Sequence, residues 1–439
     1  MFLKFKYNYK IKERIKLKMY PLTIAQMKFM KLETKIEGSS VNNIPGLLNL
    51  GTKFNYEQIN KAINQLILNH DNHRIQVSMK KEEYKQYIVK YEEKSYPYLD
   101  FYQDQLNFDD WLDEKTNANL FDFDEKLYEY YILKMPSGDL ALFTVQNHLI
   151  ADGWSMTLLI NYFIDYLIGG VNKSVPNSNL SFVHAIEEEA QYFQSKNFER
   201  DEIYWRNKLN QQKRQSSSEL IHSDHIHCQR STIKLTAEIT KKINNYCMNN
   251  DVSVSNLFAG IMLAPIDKKT VDKIKKIGLL IHNRANKNEK LTTGNYTKFL
   301  PLIIDVNDGL FLSEYITKVK KESFKLLKHR RYPIDKMLSE LKINYDILDC
   351  LISFQTADYS SEFIENGFYE KKLEIDTIGI PLVIQIFNKN SESGYLLHYD
   401  YQTEVLSAHE IEQLHDNILK MLNELVIESE RKLEENNIL

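Results

Sequence analysis

A single histidine followed by an aspartate and a glycine is the part of this sequence best suited to chemistry. Residues 147–155 read NHLIADGWS. Histidine titrates near neutral pH, so His148 could accept a proton from an attacking amine or alcohol. Asp152 is short and constrained by its position after the loop, and we expect it to pair with an arginine and thereby fix the loop that aims His148. Gly153 allows the backbone to pass close by in a tight turn.

The segment lies between a predicted strand and a predicted helix. An apolar run at residues 140–145 ends just before Asn147. Beyond Gly153 apolar residues recur at the spacing of one helix face, namely Met156, Leu159, Ile160, Phe163 and Leu167. A strand, a polar loop and a helix are therefore expected around His148. Because a lone histidine after a strand is usually structural, a catalytic interpretation requires support from the rest of the chain.

The remaining sequence predicts two α/β lobes. A chain of 439 residues is long for one hydrophobic core, since single cores stop growing near ~250–300 residues. Residues 169–181 are rich in turn formers and mark the boundary. We predict an N-terminal extension at 1–19, a first lobe at 20–175 and a second at 176–439. Apolar residues and lysines alternate within 3–20, which favours an edge strand over a basic docking strand or a mobile tail.

Composition excludes several classes of protein. The chain is 43% hydrophobic and 26% charged with a net charge of -4, so it lacks the basic footprint of nucleic-acid binding. No apolar run approaches the ~20 residues of a membrane helix. Three scattered cysteines, Cys228, Cys247 and Cys350, form no CxxC pair and suit a reducing compartment. We therefore expect a cytoplasmic protein without membrane insertion.

Two other groups of residues have the composition of a site. His222, His225, His227 and Cys228 could bind a metal, but zinc needs three or four converging ligands, and we interpret this stretch as a surface loop. Cys350 begins an apolar strand, and we interpret it as a buried small residue. The sequence therefore predicts no metal site.

Residues 147–155 resemble the HHxxxDGWS signature of condensation domains in nonribosomal peptide synthetases. Its shorter form, HxxxDG, is shared with the chloramphenicol acetyltransferase superfamily. Further segments resemble the motifs of this family in the same order along the chain. They are YPLTIAQ at 20–26, NHDNHRI at 69–75, YWRNKL at 204–209, NR at 283–284 with GNYTKFLPL at 294–302, HRRYP at 329–333 and ISFQ at 352–355. The resemblance covers nearly the whole chain.

The resemblance implies a fold and an activity. The fold is α/β, with two chloramphenicol acetyltransferase-like lobes forming a V and a tunnel at their seam. The activity joins an acyl or peptidyl thioester, carried on the 4'-phosphopantetheine of a carrier protein, to an amine or hydroxyl acceptor. No intrinsic cofactor is implied. A free-standing enzyme would need carrier proteins in trans, with separate adenylation modules, and basic stretches at 268–276 and 318–331 could steer acidic carriers.

The resemblance also assigns the site residues. His148 matches the functional second histidine of the motif, Asp152 the motif aspartate, and Gly153 the glycine at the reaction centre. Arg74 is the expected ion-pair partner of Asp152, and Arg284 is a second candidate that sequence does not separate from it.

The flanking positions are expected to support the site. Trp154 and Ser155 complete the motif, whereas Asn147 stands where the family has its first histidine. Asparagine can still donate and accept hydrogen bonds, so we expect a structural role for it. The departure keeps open a docking module without turnover, and a coenzyme A-dependent acyltransferase is the other alternative. The DxxxxD form of cyclization domains is absent, which disfavours heterocyclization.

Overall fold

Helices and strands mix throughout the part of the chain that the computed structural model describes, residues 17–169, 180–212, 226–263, 277–304, 312–341, 350–356, 358–388 and 394–436. The helices are α1 (Ile24–Lys35), α2 (Tyr56–Asn69), α3 (Gln105–Asn117), α4 (Gly153–Gly169), α5 (Phe182–Tyr192), α6 (Lys196–Gln212), α7 (Ala237–Asn249), α8 (Val254–Leu263), α9 (Lys287–Leu291), α10 (Leu312–Lys328), α11 (Ile334–Glu340), α12 (Ser361–Glu365) and α13 (Ala408–Asn436). The strands are β1 (Tyr20–Pro21), β2 (Asn43–Gly51), β3 (Ile75–Lys80), β4 (Glu83–Ile88), β5 (Tyr98–Asp100), β6 (Tyr128–Lys134), β7 (Leu140–Asn147), β8 (Cys228–Lys234), β9 (Ile277–Ile281), β10 (Lys298–Leu302), β11 (Cys350–Thr356), β12 (Tyr369–Lys372), β13 (Leu382–Asn388) and β14 (Tyr395–Gln402).

The described strands form two large sheets and one small one. A five-stranded sheet has the order β12-β2-β7-β6-β5, and a six-stranded sheet has the order β10-β9-β11-β13-β14-β8. The small sheet is β1-β4-β3. Strand β7 lies at the centre of the five-stranded sheet, antiparallel to both neighbours. The loop that carries His148 therefore leaves from a strand held on both sides.

Two main hydrophobic cores lie against the large sheets. The first packs α2 and α4 onto one face of the five-stranded sheet, with Ile63, Ile132 and Phe163 at most 1% exposed. The second packs helices that include α8, α10 and α13 onto the six-stranded sheet. Ile316 and Ile384 are fully buried there. Period-2 burial along β13, where 382, 384 and 386 are buried while 383 and 385 are less so, leaves the opposite face of that sheet available to line a cavity.

The first hydrophobic core also contains residues that come after position 176, where the second lobe was predicted to begin. Helix α5 contributes Phe182 to the first core, and the segment around α12 contributes Phe363 and Phe368. Strand β12 then pairs antiparallel with β2, joining the sheet of the first core. Because residues 170–179 lie outside the described part, the predicted boundary itself stays a prediction. Two segments from the predicted second lobe belong to the first core.

Several elements agree with the sequence pattern and one does not. The strand before His148 and the helix after Gly153 form as predicted, as β7 and α4. The residue pattern from Phe182 to Leu209 predicts one continuous helix, but the structure has two, α5 and α6. The chain turns at residues 193–195, where the Ser195 hydroxyl donates to the Tyr192 carbonyl at 2.7 Å. Of the alternating segment at residues 3–20, residues 3–16 lie outside the described part, and of the described residues 17–20 only Tyr20 is in a strand, β1. Across the described residues, no helix is long and apolar enough to span a bilayer.

We expect two buried histidines to make the fold acid-sensitive. His70 and His73 are each 2% exposed, and burial lowers the pKa of each to about 3. The unfolded chain binds a proton at each site near pH 6.5, whereas the folded chain does not until about pH 3. We therefore expect the free energy of unfolding to fall as the pH drops below 6.5, with a slope that approaches about 1.4 kcal/mol per pH unit for each histidine.

We predict that His73→Gln flattens this pH dependence by up to about 1.4 kcal/mol per pH unit, since one proton uptake is removed. Urea unfolding followed by circular dichroism at pH 7, 6 and 5 measures the slope. The matched control is His409→Gln, because His409 is exposed on α13. A His73→Gln slope equal to that of the wild type would contradict the prediction.

Candidate active site

The loop at residues 148–152 is held through its own backbone. The His148 N–H donates to the Asn42 carbonyl at 2.8 Å, and four successive carbonyls of the loop each accept a hydrogen bond from a side chain. The pairs are His148 O with Asn295 Nδ2, Leu149 O with Gln26 Nε2 at 2.9 Å, Ile150 O with Asn72 Nδ2 at 3.0 Å, and Ala151 O with His148 Nδ1 at 3.2 Å. A buried loop needs such partners because unpaired backbone groups are costly away from water.

The imidazole of His148 has a defined tautomer. A carbonyl oxygen only accepts, so the contact with Ala151 places the proton on Nδ1 and leaves the lone pair on Nε2. The ring stacks on Phe29, with 4.3 Å between centroids and 13° between planes. Burial lowers the pKa of His148 to about 4, although Asp152 and the Ala151 carbonyl oppose that effect. The imidazole is therefore neutral at pH 7 and can accept a hydrogen bond at Nε2.

Asp152 is locked by a buried ion pair with Arg284. Arg284 Nη1 lies 2.7 Å from Asp152 Oδ2, and the two side chains are 0% and 1% exposed. The carboxylate also accepts the backbone N–H of Ser155 at 2.8 Å and that of Tyr296 at 3.0 Å. Burial by itself raises the pKa of the Asp152 carboxyl, but Arg284 and the backbone donors outweigh it and hold that pKa below its usual range. Asp152 is thus a fixed charge that is not placed to act as a second base.

Arg284 also organises the loop that meets the motif from the second core. Its guanidinium donates to the carbonyls of His282, Glu289 and Gly294 at 3.2, 3.1 and 3.0 Å. It donates to the Ser155 hydroxyl at 2.8 Å. That hydroxyl in turn donates to the Gly294 carbonyl at 2.6 Å and accepts the Gly294 N–H at 2.9 Å, so its one donor and two acceptors are all used.

The expectation that Arg74 is the partner of Asp152 is wrong. The Arg74 Nη1 instead donates to the Val89 carbonyl at 3.2 Å, and the Val89 N–H donates back to the Arg74 carbonyl at 2.9 Å. Arg74 ends the short 3₁₀ helix before β3, and this exchange directs its side chain along the β3–β4 pair. Of the two candidates from the sequence, Arg284 is the one that pairs.

Gly153 and Trp154 occupy the first turn of α4. A Cβ at Gly153 would lie 3.0 Å from Gln355 Oε1, so the absence of a side chain leaves room for Gln355 from β11. Trp154 donates its indole N–H to the Lys290 carbonyl at 2.9 Å and packs against His282, with ring centroids 4.5 Å apart. Both residues therefore contact elements of the second core.

A cavity of about 690 Å3 lies between the elements of the two cores and is lined by His148 and Gly153. Helix α1 forms one wall, and the less buried face of the six-stranded sheet forms another, through residues such as Val383 and Gln385. Its charged lining residues are Lys28, Lys31, Lys35, Arg230, Asp335, Glu370, Lys372 and Asp400. Two pairs among them neutralise each other, Arg230 with Asp400 and Lys372 with Glu370. This is space for a substrate much larger than an acetyl group.

Several residues that hold the loop were not identified as site residues from the sequence. Gln26, Asn72 and Asn295 fall inside segments that resembled family motifs, but resemblance alone did not tell what their amides would contact. Glu33, which accepts a hydrogen bond from Asn147 Nδ2 at 2.6 Å, carried no signal at all. A buried carboxyl on a helix looks, in sequence, like one charge of a solvated face.

Only part of the two competing groups lies within the described residues, and there the expected surface loop is wrong for Cys228, which begins β8, and for His227, which forms a β-bridge with Thr377. His222 and His225 lie outside the described residues, and no cluster of metal-ligating side chains is found within the described ranges. Cys350 begins β11 and is fully buried, which confirms the prediction for that residue.

Comparison with known proteins identifies relatives of this chain. A family model described as "Condensation domain" matches residues 16–439. Surfactin synthase subunit 1 of Bacillus subtilis (strain 168) is 23% identical over 434 residues, covering 95% of this chain and 12% of that protein. Bacitracin synthase 2 of Bacillus licheniformis is 22% identical over 95% of this chain and 16% of its own length. The chain thus spans under a fifth of these relatives.

Solved structures share the fold. The starter condensation domain of rhizomide synthetase RzmA gives a TM-score of 0.76 at 17% identity, covering 93% of this chain and 97% of that one. The condensation domain of the Monacolin K polyketide synthase MokA gives 0.78 at 13% identity, covering 94% and 98%. The predicted fold class, chloramphenicol acetyltransferase-like α/β, is confirmed. The chain belongs to the condensation domain family, the acyltransferases that form peptide bonds in nonribosomal peptide synthesis.

Proposed function

We propose that this chain joins a carrier-bound acyl or peptidyl thioester to an amine, with His148 at the reaction centre. The observation that carries the proposal is a neutral imidazole, with Nδ1 occupied and Nε2 available, lining a cavity of about 690 Å3. Gly153, Gln355 and Phe29 line the same cavity. The site holds a single positioned base rather than a triad, because Asp152 is committed to Arg284.

The proposed chemistry uses the activation already present in a thioester. The amine nitrogen attacks the thioester carbon, the C–N bond forms, and the C–S bond breaks. His148 Nε2 accepts a hydrogen bond from the attacking amine and passes the proton lost from nitrogen to the departing thiolate. The products are the amide and the free thiol of the carrier arm.

Magnitudes favour positioning over proton transfer as the main contribution. Holding both reactants in a near-attack pose can supply ~7–11 kcal/mol of the barrier. A positioned general base contributes roughly 10²–10⁴-fold. Since base efficiency peaks when the catalytic pKa is near the working pH, a pKa of about 4 places His148 toward the lower end of that range. Its hydrogen bond to the amine then matters as much as its basicity.

Three lysines that line the cavity favour a substrate whose thioester arm carries a phosphate. Lys28, Lys31 and Lys35 recur at i, i+3 and i+7 on α1, and all three line the cavity. Burial lowers the pKa of Lys28 to about 8, and Lys31 and Lys35 are exposed. Lysine is a common binder of phosphate groups. Carrier proteins with phosphopantetheine arms, loaded by adenylation modules and supplied in trans, are the partners we propose, in the cytoplasm.

Separately purified carriers loaded with candidate acyl and aminoacyl groups test the activity, with intact-mass analysis of both carriers after incubation. Transfer of mass from donor to acceptor carrier supports the proposal. Product formed only from acyl-coenzyme A would favour the coenzyme A-dependent alternative instead. Carrier binding without product for any pairing would favour a docking module.

His148→Ala is expected to lower kcat by about 100-fold or more, because the proton acceptor is lost. Binding of both carriers should persist, since the substitution changes a side chain that lines the cavity. The same intact-mass assay measures the rate, and urea unfolding checks the fold. His184→Ala, at an exposed position on α5, is the control. Loss of the fold in His148→Ala would make the residue structural.

Asp152→Asn is expected to destabilise the protein by roughly 3–5 kcal/mol, because it leaves the Arg284 charge buried without its counter-ion. Urea unfolding of the variant and the wild type gives the difference. Asp251→Asn removes an exposed partner of Lys320 and should have a much smaller effect, because ion pairs open to solvent contribute little to stability. Equal, small effects of the two substitutions would contradict a structural role for the buried pair.

Substituting Lys31 and Lys35 together by alanine is expected to raise KM for the acyl carrier several-fold and to leave kcat within about twofold. The difference should shrink as salt is raised, since exposed charges are screened. The matched control is the double alanine variant of Lys61 and Lys241, which are exposed on α2 and α7 and do not line the cavity. A fall in kcat at constant KM would contradict a role in binding the arm.

A further inference from the structure

One face of α1 contacts three consecutive residues of the motif. Gln26, Phe29 and Glu33 lie at i, i+3 and i+7, so they project from the same side of the helix. In reverse chain order they contact three consecutive residues of the motif. These contacts are Gln26 Nε2 with the Leu149 carbonyl, the Phe29 ring with the His148 ring, and Glu33 Oε1 with Asn147 Nδ2.

The three α1 side chains are enclosed although two of them are polar. Gln26 is 0% exposed and Glu33 is 4% exposed. Gln26 is also tied at the other end, since its side chain accepts the Thr23 N–H at 2.9 Å and exchanges a hydrogen bond with Gln86. A buried carboxyl needs donors. Burial raises the pKa of Glu33, and hydrogen bonds from Asn147 and Asn42 oppose that rise.

Asn147 bridges this helix and the loop. Its Nδ2 donates to Glu33 Oε1 at 2.6 Å, while its Oδ1 accepts the Leu149 N–H at 2.8 Å. The Asn147 side chain therefore connects the residue before His148 to the residue after it. Its amide orientation is fixed by the hydrogen bond that Nδ2 donates to Glu33. Nothing in the proposed transfer chemistry uses the Glu33 carboxyl.

We propose that Glu33 is a positioning residue that sets the orientation of His148 through Asn147. The asparagine at this place in the motif then serves as a connector between α1 and the loop, and is not a sign of lost activity. The kinetic part of this proposal rests on the proposed function, whereas its structural part does not. Glu33 contacts neither the imidazole nor the reacting atoms in this scheme.

The test compares Glu33→Gln with Glu33→Ala. Glutamine keeps an oxygen at the Oε1 position, so it can still accept from Asn147, whereas alanine leaves Nδ2 without an acceptor. In the carrier assay, Glu33→Ala should lower kcat at least tenfold with KM within about threefold, and Glu33→Gln should retain kcat within about threefold. Equal losses in the two variants, or a loss confined to KM, would overturn the proposal.

Hydrogen–deuterium exchange of the peptide that contains residues 147–153 provides a readout without any substrate. Exchange at this loop should accelerate in Glu33→Ala, because the Leu149 N–H loses its fixed acceptor, and should match the wild type in Glu33→Gln. Asn147→Ala breaks the same connection from the other side and must show the same local acceleration, which also covers a failure of Glu33→Ala to fold. Unchanged loop exchange in Asn147→Ala would overturn the proposal.

A control and a double variant complete the experiment. Tyr399→Phe removes a buried side-chain hydrogen bond of 2.8 Å to His415 in the second core and should leave exchange at the loop unchanged. If it accelerates the loop as well, the effect is global and the proposal fails. Combining Glu33→Ala with Asn147→Ala should be no worse than either alone, since one connection is lost in all three. Additive losses would overturn it.

The two proposals can fail separately. If loop exchange changes as expected but the wild type shows no turnover, the proposed function is rejected and the positioning role of Glu33 still stands.

Discussion

The buried ion pair between Asp152 and Arg284 is the constraint on which the site depends. Two charges without solvent are tolerable only when each is surrounded by partners, and here both are. Asp152 follows the strand and loop of the first core, whereas Arg284 lies after β9 in the second. The pair therefore forms only when the two cores meet. His148 is consequently oriented by tertiary assembly and not by its own segment alone.

The site combines a rigid loop backbone with a weakly basic imidazole ring. Side chains from several elements donate hydrogen bonds to the carbonyls around His148, and the stacked Phe29 fixes the plane of the imidazole. Burial keeps the ring neutral at the expense of basicity. Such a design suits a substrate that is already activated, because the enzyme must then orient two reactants more than it must move a proton.

The local features of the site could be predicted from the sequence, and the long-range ones could not. The strand–loop–helix around His148 follows from apolar periodicity, and it forms as β7 and α4. The choice between Arg74 and Arg284 required knowing which arginine reaches the seam, and Arg74 is taken by Val89. Strand β2 is not evident in the sequence because its proline and glycines hide the alternation of side chains. Strand β12 reads YEKK, which looks like a solvated stretch, although Glu370 is buried against the cavity.

Strand β12 has a consequence for how such proteins can be recombined. It adds to the edge of β2, so the sheet that carries the His148 loop is completed by residues that arrive late in the chain. A chimera that exchanged everything after α4 for the equivalent part of a relative would give this sheet a foreign edge strand, opposite Gly46 and Leu48. Crossover points that keep residues 358–372 with the first core would preserve both the edge pairing and the Phe363 and Phe368 packing beneath it. Modular exchange in this fold is thus governed by a strand and its partner more than by the apparent midpoint of the chain.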